Sequence, residues 1–199
     1  MKSIKTLLGA VAFPLIGYRP QRVAPETWDR EYRDGQWGYL AGMDSLAGFA
    51  SVLGYCQFLA PAAILDVGCG EGLLAQKLKV LSYRSYLGID LSPAAVDLAQ
   101  KQGDERTRFA VADAHCFESD ERFDMIIFNQ SLYYLADPAA IMTRYRAMLH
   151  PGGRLIISMT ASPRTKAAWP MIGRMLREED AMVIWQAGGK VTTKVFAPL

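Results

Sequence analysis

The 199-residue chain reads as an α/β protein: a doubly wound, seven-stranded sheet with five parallel strands and a terminal antiparallel hairpin. Three observations lead there. Short apolar runs of strand length alternate with helical patterns, the order that builds βαβ units around a parallel sheet. The first run passes into glycines at 68, 70 and 72, a spacing that turns a strand sharply into a helix. Near the end, two strand-like runs flank Gly188-Gly189, a strong short hairpin signal. Residues 61–199 are expected to form the core, and residues 1–60 a helical segment of the same domain.

The first strand is Ile64-Leu65-Asp66-Val67, followed by Gly68-Cys69-Gly70-Glu71-Gly72 and the helical Leu73-Leu74. Glycines at these positions let a ligand lie against bare peptide N–H groups at a helix N-terminus, which marks a small-molecule cofactor loop. The spacing Gly-x-Gly-x-Gly differs from the nicotinamide fingerprint Gly-x-Gly-x-x-Gly. Asp66, just ahead of the loop, repels a pyrophosphate but accepts hydrogen bonds from a cationic ligand. The second strand, Ser85 to Asp90, ends in a carboxylate 18 residues after Gly72. A doubly wound fold places the acid that holds the ribose hydroxyls roughly 20 residues on. Leu91-Ser92-Pro93 then opens a helix, with Ser92 as N-cap and Pro93 at the first helical position. A third strand, Arg108 to Ala114, ends in Asp113-Ala114.

Phe123 to Gln130 is the fourth strand, a nearly continuous apolar run of the kind buried on both faces of a parallel sheet. Asn129, Gln130, Ser131, Tyr133 and Tyr134 gather at its carboxyl end, where doubly wound sheets bind ligands. His150-Pro151-Gly152-Gly153 is read as the turn into a fifth strand, Leu155 to Met159. Met182 to Gln186 and Val191 to Phe196 complete the hairpin.

In combination these motifs resemble those of the class I S-adenosylmethionine-dependent methyltransferases, from about Trp28 to the end of the chain. The resemblance rests on Asp66-x-Gly68-x-Gly70-x-Gly72, Asp90 closing the second strand, Asp113-Ala114 closing the third, the Leu149 to Gly153 turn and the terminal hairpin. It implies S-adenosylmethionine as cofactor, held by Asp66, Gly68, Cys69, Gly70, Gly72, Asp90, Leu91, Asp113, Ala114 and Asn129. Asp90 would take the ribose diol and Asp113 the adenine amino group, with Ala114 leaving room for the ring. Trp28 and Tyr32 match a Trp-x-x-x-Tyr segment that several small-molecule methyltransferases use as a lid over the methionine end. The pair lies at i and i+4, so one helical face presents both; a helix pinned to the core by two aromatics satisfies the same pattern. Leu132-Tyr133-Tyr134-Leu135 is similar to a stretch of the nodulation-factor N-methyltransferases. Gln130 departs from related loops, which often carry an acid there.

Tyr133, Tyr134 and His115 are the candidate catalytic residues. One tyrosine is expected in the acceptor pocket, and His115 is the one residue of the site that titrates near neutrality, with a bystander role as the alternative. His150 is read as solvated. The histidines and the cysteines Cys56, Cys69 and Cys116 have no metal-ligand spacing, and no metal site is expected. The three thiols read as reduced and structural. A net charge of +2, with Lys and Arg scattered, gives no field for nucleic acid.

Leu7 to Gly17, preceded by Lys2 and Lys5, is apolar but too short to span a bilayer. It is expected to pack on the core or on a second subunit, giving a homodimer through the N-terminal segment, rather than to act as a membrane anchor or signal. The acceptor pocket is expected to be walled by the N-terminal segment and the loops after the fourth and fifth strands, including Thr160 to Trp169, and to be shallow or completed by a partner. The resulting expectation is a cytoplasmic enzyme that methylates N or O of a small molecule, a specialised metabolite or sugar. A cofactor-binding subunit that has lost catalysis and a nicotinamide-dependent oxidoreductase are the alternatives.

Overall fold

The computed structural model describes residues 23–199; the reading of Leu7 to Gly17 and the dimer contact built on it lie outside the described residues. The apolar runs become β1 (Ala63–Val67), β2 (Ser85–Asp90), β3 (Thr107–Val111), β4 (Phe123–Asn129), β5 (Leu149–Thr160), β6 (Leu176–Gln186) and β7 (Gly189–Pro198). They form one seven-stranded sheet in the order β3-β2-β1-β4-β5-β7-β6. Pairing is parallel from β3 across to β5 and antiparallel for β5 with β7 and β7 with β6. Five parallel strands and a closing hairpin are as the sequence predicts.

Helices α1 (Pro25–Arg33), α2 (Met43–Leu59), α3 (Leu73–Leu78), α4 (Pro93–Gln100), α5 (Pro138–Arg146) and α6 (Pro163–Gly173) accompany the sheet, with single 3-10 turns at Gly38–Ala41 and Leu132–Tyr134. Alternate strand residues feed two cores. Leu65, Val67, Phe128 and Ile157 pack with Ile141, Met142 and Tyr145 of α5 and Ile172 of α6, whereas Ile64, Ile127 and Ile156 pack with Val52, Leu74, Leu78 and Val96 of α2, α3 and α4. The Ser92 side chain caps α4 by accepting from the Ala95 N–H at 3.2 Å, and Pro93 takes the first helical position. Among the described residues no helix is long and apolar enough to cross a membrane.

Three strand limits differ from the sequence reading, each for a local reason. Strand β5 starts at Leu149, which pairs with Phe123 before the Pro-Gly-Gly excursion, and pairing resumes at Arg154 opposite Met125. Strand β6 starts at Leu176, not Met182, because the charged run Arg177 to Asp180 pairs with β7 although its side chains face solvent. Strand β3 ends at Val111, so Asp113 and Ala114 lie in the loop beyond it.

Phe128 is fully buried and meets the Tyr145 ring edge-on at 5.0 Å. Truncation of a buried aromatic leaves a cavity and costs about 3–5 kcal/mol. Urea unfolding of Phe128→Ala should show a loss of that size with little change in slope; a loss below about 1 kcal/mol would mean that α5 repacks into the space.

Candidate functional site

A cavity of about 1000 Å³ opens at the carboxyl ends of β1 and β4, where the strand order reverses and doubly wound sheets bind their ligands. Ligand sites reach this size only at the upper end of their range. Its walls include α1, the turn at Gly38–Ala41, the start of α2 and the Gln186-Ala187-Gly188 tip of the β6–β7 hairpin. Of the expected stretch Thr160 to Trp169, only Thr160 lines it. The hairpin tip is placed by a long-range bond from the Gly48 N–H of α2 to Gln186 Oε1 at 3.0 Å.

The loop between β1 and α3 turns through positive φ at Gly68 (76°), Gly70 (55°) and Gly72 (82°). A Cβ at Gly68 would lie 2.5 Å from Ser131 Cβ, so glycine there lets the loop after β4 close onto β1. Ser131 Oγ donates to the Val67 carbonyl at 2.5 Å across that contact. A Cβ at Gly70 would lie 2.7 Å from the Tyr32 hydroxyl, so glycine there lets α1 sit directly over the loop. Cys69 is a buried free thiol, pushed well above its ordinary pKa by burial.

Asp90 braces this loop. One carboxylate oxygen accepts from the Gly70 N–H at 2.9 Å and the other from the Ser92 N–H at 3.0 Å. Burial raises its pKa, and those N–H donors oppose the rise. Asp66 is buried against the other side of the loop. Its Oδ2 accepts from the Tyr86 hydroxyl at 2.5 Å, while its Oδ1 has no partner. Burial pushes its pKa up to about 7 against the opposing Tyr86 bond.

Asp113 lies beside Ala114 and His115 on the cavity wall. Burial works against its ionisation, but the His115 N–H and ring hold its carboxyl below the usual range. His115 Nδ1 lies 2.8 Å from Asp113 Oδ1, and its Nε2 accepts from the Ala136 N–H at 3.0 Å. With Nε2 accepting, the neutral ring carries its proton on Nδ1. Both nitrogens are thus engaged in holding the loop after β3 against the loop after β4.

Aromatic rings cover the rest. Trp28 meets Tyr134 edge-on at 4.8 Å and Trp37 at 5.6 Å; Trp37 lies 6.0 Å from both Tyr32 and Tyr39. Tyr133 and Tyr134 lie 4.5 Å apart, each with its phenol pKa raised by burial. The indole Nε1 of Trp37 is buried without a partner. Asn129 and Gln130 form the floor. Gln130 adopts φ 60°, rare for a residue with a side chain. Its Oε1 accepts from the Thr160 N–H and hydroxyl at 2.8 Å, and its Nε2 donates to Ser158 Oγ at 3.0 Å. An acid there would accept but not donate, which is why this loop carries an amide.

The sequence reading brought Trp28, Tyr32, Asp66, Gly68, Cys69, Gly70, Asp90, Leu91, Asp113, Ala114, His115, Asn129, Tyr133 and Tyr134 to the site, and all line one cavity. The third glycine of the loop, Gly72, is not in the wall: a Cβ there would lie 3.2 Å from the Phe109 ring and 3.3 Å from Ala99 Cβ, so it serves close packing instead. It missed the residue that docks α1. Asp29 Oδ1 accepts from the Ser92 hydroxyl and the Ala94 N–H, both at 2.9 Å, and its carboxylate also pairs with Arg33. One acid thus binds the N-terminus of α4 from outside the helix. The only local hint was an acid beside Trp28 on a helix already suspected of covering the site.

The site suits an adenosyl cofactor with a cationic end. It offers an unpartnered buried acceptor at Asp66, a glycine cradle, a carboxylate after β2, a polar pair after β3 and an aromatic cover. Such a site in this fold defines a class I S-adenosylmethionine-dependent methyltransferase domain. A family model described as a methyltransferase domain matches residues 60–197, and the chain belongs to that family. A ubiquinone biosynthesis O-methyltransferase from Xanthomonas oryzae pv. oryzae is 34% identical over 118 residues, covering 57% of this chain and 48% of the relative. The chain spans about half the length of the curated relatives it matches. In fold it is similar to the N-methyltransferase NodS of Bradyrhizobium japonicum, in a complex with S-adenosyl-L-homocysteine, with TM-score 0.76, 21% identity and coverage of 87% of this chain and 97% of that one. It is also similar to the 1,6-didemethyltoxoflavin-N1-methyltransferase of Burkholderia thailandensis, with TM-score 0.69, 20% identity and coverage of 92% and 93%. At these identities the likeness is of fold.

Neighbouring donors, first of them the Ala94 N–H, hold the Asp29 carboxyl below the usual range. Its docking bond is complete above the ordinary carboxylate pKa and is lost as the pH falls through the lowered value. Asp29→Ala should speed protease cleavage within residues 25–39 at neutral pH while the melting of the sheet changes little. Unchanged cleavage would show that ring packing alone holds α1.

Proposed function

We propose that the protein transfers a methyl group from S-adenosylmethionine to a nitrogen or oxygen of a small molecule, a specialised metabolite or sugar, by in-line displacement. The observation that carries this reading is the unpartnered Asp66 carboxylate oxygen facing a glycine loop braced by Asp90, inside a cavity with room for donor and acceptor. When bound, the cofactor supplies a methyl group already activated by a sulfonium. Asp66 Oδ1 takes the ammonium of the methionine end. Asp90 keeps its two backbone bonds and offers its remaining lone pairs to the ribose diol. Asp113 and Ala114 frame the adenine, with Leu91 and Asn129 beside it. Trp28 and Tyr32 exclude water from above, and Tyr133 and Tyr134 wall the acceptor. Holding the reactants in line is worth roughly 7–11 kcal/mol of the barrier, so positioning can carry the reaction.

The reading as a non-catalytic subunit drew on Gln130 in place of an acid. The bonds of that amide to Thr160 and Ser158 give the replacement a structural reason. A nicotinamide reaction is disfavoured by the glycine spacing, by Asp66 and by the hairpin. An intracellular cofactor argues for the cytoplasm.

Formation of S-adenosylhomocysteine with a panel of amines and phenols tests the reaction, and turnover with none of them would leave only cofactor binding. Asp90→Ala should weaken S-adenosylhomocysteine binding on the order of tenfold to a hundredfold by calorimetry. Gly70→Val should fold and bind none. Because burial holds the Asp66 proton up to about pH 7, affinity should rise as the pH climbs through that value and level off above it. Asp66→Asn should flatten the profile; a steep profile surviving in that variant would move the ammonium elsewhere.

A further inference from the structure

The charge around the cavity is one-sided. Asp44, Asp66, Glu71, Asp90 and Asp113 line it, and among the described residues no lysine or arginine does. Arg164 acts electrostatically on Tyr133 and Tyr134 but is not part of the wall. Asp66, Glu71, Asp90 and Asp113 belong to the half built from the ends of β1, β2 and β3, where the net positive cofactor offsets them. The remaining acid, Asp44 on the first turn of α2, lines the same cavity as Trp37, Tyr39, Tyr133 and Tyr134. An acceptor bearing a carboxylate or phosphate would meet like charge there with no cation in the wall to pair with it directly.

Apart from the carboxylates, the cavity wall offers no free side-chain lone pair to take a proton. A general base must reach the proton it abstracts with a free lone pair. His115 has both nitrogens engaged, by Asp113 and by the Ala136 N–H. Burial keeps Tyr133 and Tyr134 as neutral phenols. The carbonyl oxygen of Gln130 is occupied by Thr160. An ordinary carboxylate is a weaker base than a phenolate by about six pKa units, so a hydroxyl acceptor keeps its proton at neutral pH, and an alkylammonium, favoured by the acids, would stay protonated and unreactive.

We propose that the acceptor is a flat aromatic or heteroaromatic molecule without carboxylate or phosphate, and that the methylated atom is a weakly basic nitrogen, an aryl amine or a ring nitrogen. This rests on the methyltransferase reading above. Such a nitrogen carries a free lone pair at neutral pH without help. The lone pair forms the new N–C bond as the C–S bond of the sulfonium breaks, and the electron pair of that bond stays on sulfur as a neutral thioether. The positive charge passes to the methylated nitrogen, in a cavity lined by Asp44 and by ring faces that favour a cation. Any proton on that nitrogen then leaves to water. The flat shape follows from the rings of Trp37, Tyr39, Tyr133 and Tyr134, and the buried indole N–H of Trp37 finds its partner in a ring nitrogen or carbonyl of the acceptor.

Three probes of one shape test this: 2-aminonaphthalene, 2-naphthol and 2-naphthoate. Calorimetry with S-adenosylhomocysteine alone comes first, and failure to bind it would sink the methyltransferase reading itself. With that product bound, the amine should bind at least tenfold tighter than the naphthoate. Asp44→Lys should erase or reverse the preference and Asp44→Asn should reduce it, with circular dichroism confirming the fold of each. With S-adenosylmethionine at pH 7, the amine should be N-methylated and the naphthol should turn over slowly, speeding up as the pH approaches its own ionisation. Naphthoate binding as tightly as the amine, naphthol methylated as fast as the amine at pH 7, or no binding by any of the three to a protein that binds S-adenosylhomocysteine would each overturn the proposal.

Discussion

The carboxylate of Asp90 holds two backbone N–H groups that belong to different parts of the chain, Gly70 in the loop after β1 and Ser92 at the start of α4. The glycine loop and the helices beside it are placed relative to that pair of bonds. They set the curvature of the glycine loop, which sets where the Tyr32 hydroxyl can rest and hence where α1 lies. They fix Ser92, whose side chain caps α4 and receives Asp29 from α1. Burying a carboxylate is costly unless donors converge on it, and here the loop and the helix supply them. The fold is thus built around a polar centre that also lines the cavity.

How much of this was legible in the sequence depended on distance along the chain. The acids closing the first two strands, the alternate glycines, Ser92-Pro93 and the Gly188-Gly189 turn are local signals, and each is found where its residues placed it. The start of β5 was hidden because Pro151-Gly152-Gly153 has the composition of a turn, although Leu149 pairs before it. The start of β6 was hidden because Arg177 to Asp180 lacks alternation; strand pairing with β7 overrides that local signal.

The site residues divide in the same way. Asp66 and Asp90 announce themselves near the ends of β1 and β2, and Asp113 in the loop just past β3. What each does beyond that depends on a partner far away in sequence: Tyr86 beneath Asp66, Gly70 on Asp90, His115 and through it Ala136 beside Asp113. The contribution of α2 and the hairpin tip to the cavity was invisible because nothing local pairs Gly48 with Gln186, 138 residues further along the chain.

The order β5-β7-β6 also bears on how the chain is made. Synthesis delivers β6 before β7, yet β6 pairs with no strand except β7. The first five strands can assemble behind the ribosome, but the edge of β5 from Leu155 to Thr160 stays open and β6 waits unpaired until β7 emerges and slides between them. During that interval the nascent protein exposes an apolar edge of the kind that invites misassembly and chaperone capture. The strand that completes the sheet is a late arrival, and the moment of greatest risk falls just before it.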